Sequence, residues 1–170
     1  MPSIDEITST RSMAVERLNW ARQFTEALLA AVPDDALTAQ AGGRGNHTLW
    51  VIGHLAWTDE EILGAVAGIA KTMSEAHQKL FASGASPVSD AGAYPSRDET
   101  MALMHAARQR MIDWIESLDD DTARKPLPEP LLPFAPDAIS VPFTIAAHDL
   151  FHLGQVASVR SSLGLDPVFR

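Results

Sequence analysis

Histidines 148 and 152 stand four residues apart in the apolar run "HDLFHLGQ". On a helix, side chains at that spacing differ by only about 40° of rotation and roughly 6 Å of rise, so both imidazoles face the same way at a chelating separation. Two imidazoles alone hold a metal weakly, and a third donor must come from elsewhere. The chain contains no Cys. Thiolate ligands, disulfides and a cysteine nucleophile are thereby excluded together, and any transition-metal site must use His and carboxylate. His54 is the best third donor, because it interrupts a second apolar run, "LWVIGHLAW", with Trp50 and Trp57 on its face. Three imidazoles suit zinc, nickel, copper or iron and leave positions for water or substrate, as a catalytic centre requires.

Other residues fall near these three. Glu61 follows His54 by seven positions, about 20° away around a helix, and is a candidate for orienting a ligand or acting as general base. Asp59, Glu60 and Glu61 form an acidic run, which reads more simply as a partly exposed face. Gln155 is placed either to hydrogen-bond a ligand imidazole or to fill a boundary position. Asp149 is rotated about 100° from His148, toward solvent or a neighbouring helix. His47 competes for the third ligand place but precedes the apolar stripe, so capping or surface exposure is expected of it. His77 and His105 read as solvent-facing. Met101, Met104 and Met111 read as packing residues able to shape an apolar pocket.

Positioning these groups takes helices, and the apolar residues recur at helical spacing in four long segments. Ser3 with Glu6 fits a capping box, and a first helix runs to about Ala31. After a loop over 33–46, where Asn46 or Thr48 can cap, a second helix spans about Thr48 to Ile69. A short helical piece near Ser74 to Ala82 and a flexible crossing lead to a third helix, opened by a capping box at Ser96 and Glu99 and running to about Leu118. The prolines of 119–140 make continuous helix untenable there, and that stretch reads as a long covering loop. The fourth helix begins near Ser140 and stops near Leu163, before Gly164. Thr144, His148, Phe151, His152, Gln155 and Val159 share a stripe expected to face inward. The fold expected is all-α: one domain over 1–170, a four-helix bundle with a long connection before its last helix.

A chain of 170 residues with 46% hydrophobic and 21% charged residues has the composition of a globular domain able to bury its own core. Its formal charge of −9 repels a phosphate backbone, so nucleic acid is not expected as a partner. The first residues lack a secretory signal, and no apolar stretch approaches a membrane span, so a cytoplasmic protein without membrane contact is expected.

The pattern "GHLAWTDEEIL", followed far downstream by "HDLFHLGQVASVRSSLG", resembles the DinB superfamily with its YfiT-like metalloenzymes, over nearly the whole chain. The resemblance puts His54, His148 and His152 on the family's metal-ligand positions and Gln155 on its recurrent Gln. It implies a four-helix bundle, commonly a homodimer, that binds a divalent metal, here zinc or nickel. It also implies transfer of low-molecular-weight thiols to a small-molecule substrate, with the thiol as cosubstrate. The residues themselves support only a metal-activated nucleophile, which serves hydrolysis as well as thiol transfer. The rival expectation is a binding or interaction protein whose metal stiffens the fold without turnover. A DNA-associated role, suggested only by the family's name, is opposed by the acidic charge.

Overall fold

The computed structural model describes residues 4–169, with side chains from Ser9 onward; the expected capping box of Ser3 and Glu6 lies outside the described residues. Four long helices carry the fold: α1 (Ile4–Ala30), α2 (Thr48–Ala67), α4 (Arg97–Ser117) and α6 (Val141–Ser162). Two short ones, α3 (Glu75–Phe81) and α5 (Asp120–Ala123), lie in the connections. No strand occurs among the described residues, where Pro126 and Asp137 form an isolated antiparallel bridge across the last connection. α1 packs chiefly on α6 and α2 on α4, with further contacts of α2 with α6 and of α1 with α4.

The helix ends follow from their flanking residues. At α4, Ser96 Oγ accepts from the Glu99 backbone N–H while the Glu99 carboxylate accepts from Ser96, a complete capping box. α2 stops at Gly68, whose φ of 67° is left-handed and whose N–H reaches back to the Leu63 and Gly64 carbonyls. α2 starts with His47 in the capping role, not the exposed one, of the two expected of it. Its cap is His47, not Asn46 or Thr48: Nδ1 accepts from the Trp50 N–H at 3.1 Å, while Nε2–H donates to the Val88 carbonyl at 3.1 Å. His47 is fully buried, edge-on to Tyr94, so one ring ties the crossing segment to the head of α2.

This arrangement works only with a neutral ring, and burial pushes the His47 pKa down to about 4, against the weaker pull of its hydrogen bonds to backbone. A pKa lower in the folded chain than the ordinary 6.5 gives stability that is present above that value and lost as pH falls toward the folded one. Asn keeps a capping acceptor but cannot titrate. His47→Asn should therefore flatten the pH dependence of stability by up to about 1.4 kcal/mol per pH unit in that interval. Urea midpoints for both proteins on either side of it would check this, and parallel curves would count against His47.

Two clusters make up the core. One gathers Leu18, Leu63, Met111, Trp114, Ile115 and Ile145, closed over by Ala123, Leu127, Ala135 and Ala138 of the long connection. The other gathers Leu29, Trp50, Ile52, Leu55, Phe81 and Met104. Phe81 is fully buried beside Gly53, where a Cβ would sit 2.3 Å from its ring; only glycine leaves α3 room to lie this close to α2. Glu60 is buried too, not exposed as its acidic neighbours suggest. Burial alone would raise its pKa. Hydrogen bonds from the Met73 N–H, at 3.0 Å, and from Thr72, with the Arg110 charge, hold it below the ordinary value and pin the turn after α2.

Candidate metal centre

His54 of α2 and His148 and His152 of α6 offer ring nitrogens that all lie within 4.8 Å of one another. Each ring is placed by its element. His54 is stacked between Trp50, with ring centroids 4.4 Å apart, and Trp57, at 5.4 Å. Its Nδ1–H donates to the Phe81 carbonyl at 2.8 Å, which turns Nε2 toward α6. The Nδ1–H of His152 donates to Gln155 Oε1 at 2.9 Å, and the same oxygen accepts from Asn46 Nδ2 at 3.0 Å. Its Nε2 is thus left facing His148 Nε2, 3.1 Å away.

The donor set fits a divalent ion. Burial pushes the pKa of each of the three imidazoles down to about 4; proximity to His54 adds to this at His148, and proximity to His148 adds to it at His152. All three are neutral at neutral pH, as ligands must be. Two nitrogens bound to one tetrahedral zinc at about 2.0–2.1 Å would stand roughly 3.3 Å apart, close to the observed His148–His152 separation. Two of the rings engage an acceptor through the nitrogen turned away from the cluster, the arrangement that orients ligating histidines. The third ring differs: His148 Nδ1 is buried without a partner, so its position is set by its neighbours and by the helix that carries it.

Gln155 therefore touches a cluster histidine directly, whereas Glu61 is half exposed and paired with Lys71. His47 is a cap and His105 an exposed partner of Glu26. Phe151 does not face inward: 65% of it is exposed, although its ring still meets the edge of His152. The buried stripe of α6 runs through Ile145, Asp149, His152, Val156 and Val159, slightly around the helix from the one read off the sequence. A cavity of about 610 Å³ lies where the ends of α2 and α4 meet the long connection, lined by Val66, Trp114, Leu127 and Lys125 among others, and no histidine borders it.

Four charged residues form a buried group that the sequence does not assemble: Arg22 and Arg108 carry no expectation, Asp59 reads as part of a partly exposed acidic face, and Asp149 meets neighbouring helices, one of its two expected settings. Arg22, Asp59, Arg108 and Asp149 are each at most 5% exposed and come one from each long helix. Arg108 grips Asp59 through Nε at 2.8 Å and Nη2 at 3.2 Å and reaches Asp149 at 3.1 Å. Arg22 donates to Asp149 at 3.1 Å and Asp59 at 3.4 Å. Burial would lower the pKa of Arg108, but the two carboxylates more than reverse this and keep it charged. The available signal was positional, since Arg22 continues the buried spacing of Leu18, Thr25 and Leu29, and Arg108 that of Met104, Met111 and Ile115.

Fold and site together define an all-helical protein whose interior carries a histidine triad able to hold a metal ion. The family model of the DinB superfamily matches residues 17–156, a span that includes the three histidines and Gln155, and the chain belongs to that superfamily. No curated protein matches the chain.

Proposed function

We propose that this chain is a metal-dependent enzyme in which His54, His148 and His152 hold one divalent ion, zinc or nickel, for hydrolysis or for transfer of a low-molecular-weight thiol to a small-molecule substrate. The observation that carries this reading is the convergence of three neutral imidazoles from two helices. A divalent ion held by imidazoles supplies Lewis acidity, which activates a water or thiol nucleophile at neutral pH. The Phe81 carbonyl and Gln155 orient two of the rings, and Trp50 and Trp57 keep water from the faces of His54. Glu61, half exposed and engaged by Lys71, is kept in this reading as the candidate general base. The absence of Cys means that a sulfur nucleophile comes from a cosubstrate.

The proposal extends to a single domain over 1–170 built as a four-helix bundle, which the pairing of α1 with α6 and α2 with α4 supports. It further includes a cytoplasmic homodimer without nucleic-acid partners. Exposed Met13 and Trp20 on α1 and Leu150 and Phe151 on α6 support self-association, and the net charge of −9 supports the last point. No helix among the described residues is long and apolar enough to cross a membrane. A second reading, a metal that stiffens the fold without turnover, is favoured by the small exposures of His54 and His152, 5% and 4%.

Elemental analysis of protein purified without a His tag tests the centre: one zinc or nickel per chain is expected, and metal-free protein that also takes up none on dialysis would overturn it. Cobalt-substituted protein then separates the two readings. Thiolate-to-cobalt absorption on addition of N-acetylcysteine is expected for the enzyme, and an unchanged spectrum favours the structural metal.

A further inference from the structure

We propose that the buried ring of Arg22, Asp59, Arg108 and Asp149 is the positioning device of the histidine centre, keying α6 to α2 so that His148 and His152 meet His54. The inference rests on the metal-centre reading for its purpose but on the geometry of the ring for its mechanism.

The ring is closed. Each aspartate accepts from both arginines, and each arginine donates to both aspartates. The arginines are also crossed between helices: Arg22 of α1 reaches the Met104 carbonyl of α4 at 3.4 Å, and Arg108 of α4 reaches the Leu18 carbonyl of α1 at 3.5 Å. α1 and α4 thus form a frame that holds the carboxylates of α2 and α6. Those carboxylates belong to the ligand-bearing helices, with Asp149 directly after His148 and Asp59 five residues beyond His54.

Stability alone does not account for such a device. Four ions taken out of water are costly, and well-packed apolar residues of similar volume often serve as well or better. Charged forks add direction, which apolar packing lacks. A ring nitrogen roughly 6 Å from its helix axis moves by about 2 Å for a rotation of about 20°, enough to take His148 out of a shared site. His148 most needs external positioning, because its Nδ1 has no partner to hold the ring. Asp149, on the next residue, fixes the rotation of that turn of α6.

Asp149→Asn keeps an acceptor but loses the charge that binds both arginines. It should weaken cobalt binding about ten- to a hundredfold while the protein stays helical. Arg22→Lys, which keeps the charge but loses the fork, is the milder variant should Asp149→Asn fail to fold. Ile115→Val, in the distant core cluster, is the control for a merely structural role and should bind cobalt as the parent does. A second readout needs no metal: nuclear Overhauser contacts between the rings of His54 and His152, whose centroids are 4.8 Å apart, should fade in the ring variants and persist in the control. Unchanged affinity and unchanged ring contacts in both ring variants would overturn the proposal. If the parent takes up no cobalt but the ring contacts fade, positioning stands and the metal reading fails.

Discussion

His152→Ala should leave a helical protein that no longer holds a metal ion at stoichiometric level. The ring sits at the centre of the cluster, with its Nε2 3.1 Å from that of His148 and its centroid 4.8 Å from that of His54. Removing it takes one of three donors and leaves the other two on different helices, so affinity should fall by about two to three orders of magnitude. The fold should survive. Gln155 loses one donor to its Oε1 but keeps Asn46, and the truncated ring leaves a modest cavity beside Phe151, itself at the surface. His105→Ala is the matched control, since His105 is exposed and pairs with Glu26; its metal content should not change. Metal analysis of both untagged variants beside their circular dichroism makes the comparison, and full occupancy in His152→Ala would remove that residue from the donor set.

The pair on α6 is legible in sequence because helix geometry fixes where residues four apart must point. His54 is legible because a lone polar ring in an apolar run has to face inward with it. The DinB resemblance drawn from these runs agrees with the family match over 17–156, and the helices begin and end close to where their caps and glycines put them. What stayed hidden is tertiary. Asp59 looks like one member of an exposed acidic triplet, yet it lies in the core because two arginines, 37 and 49 positions away in the chain, reach it there. Asp149 lies on the buried stripe, whereas Phe151, the more apolar residue, faces outward; pairing outweighs hydropathy when both partners share a helix crossing. His47 reads as a cap or a surface residue, and the Val88 carbonyl, 41 residues on, decides for the buried cap by fixing which of its nitrogens bears the proton. Each miss concerns a polar group whose partner is distant in sequence, and helical periodicity carries no information about such partners.

Arg108→Met should cost about 3–5 kcal/mol of folding stability, the usual result of breaking a buried ion pair from one side. Against a total of roughly 5–15 kcal/mol for a domain, that is a large share. The substituted side chain fills much of the space, so the loss is electrostatic. Asp59 gives up a two-pronged partner at 2.8 and 3.2 Å, and Arg22 alone faces two carboxylates that water hardly reaches. Lys71→Met breaks a half-exposed pair with Glu61 and should cost less than about 1 kcal/mol; the difference between the two variants is set chiefly by burial, because each removes a single cation. The decisive comparison is with Arg108→Met combined with Asp59→Asn. Removing a charge of each sign returns the interior to neutrality, so the double variant should recover part of what the single one loses and depart clearly from additivity. Urea unfolding of the set at constant pH reads this directly. Additive losses would mean that the two side chains contribute independently, and that their contact in the core does not couple α2 to α4.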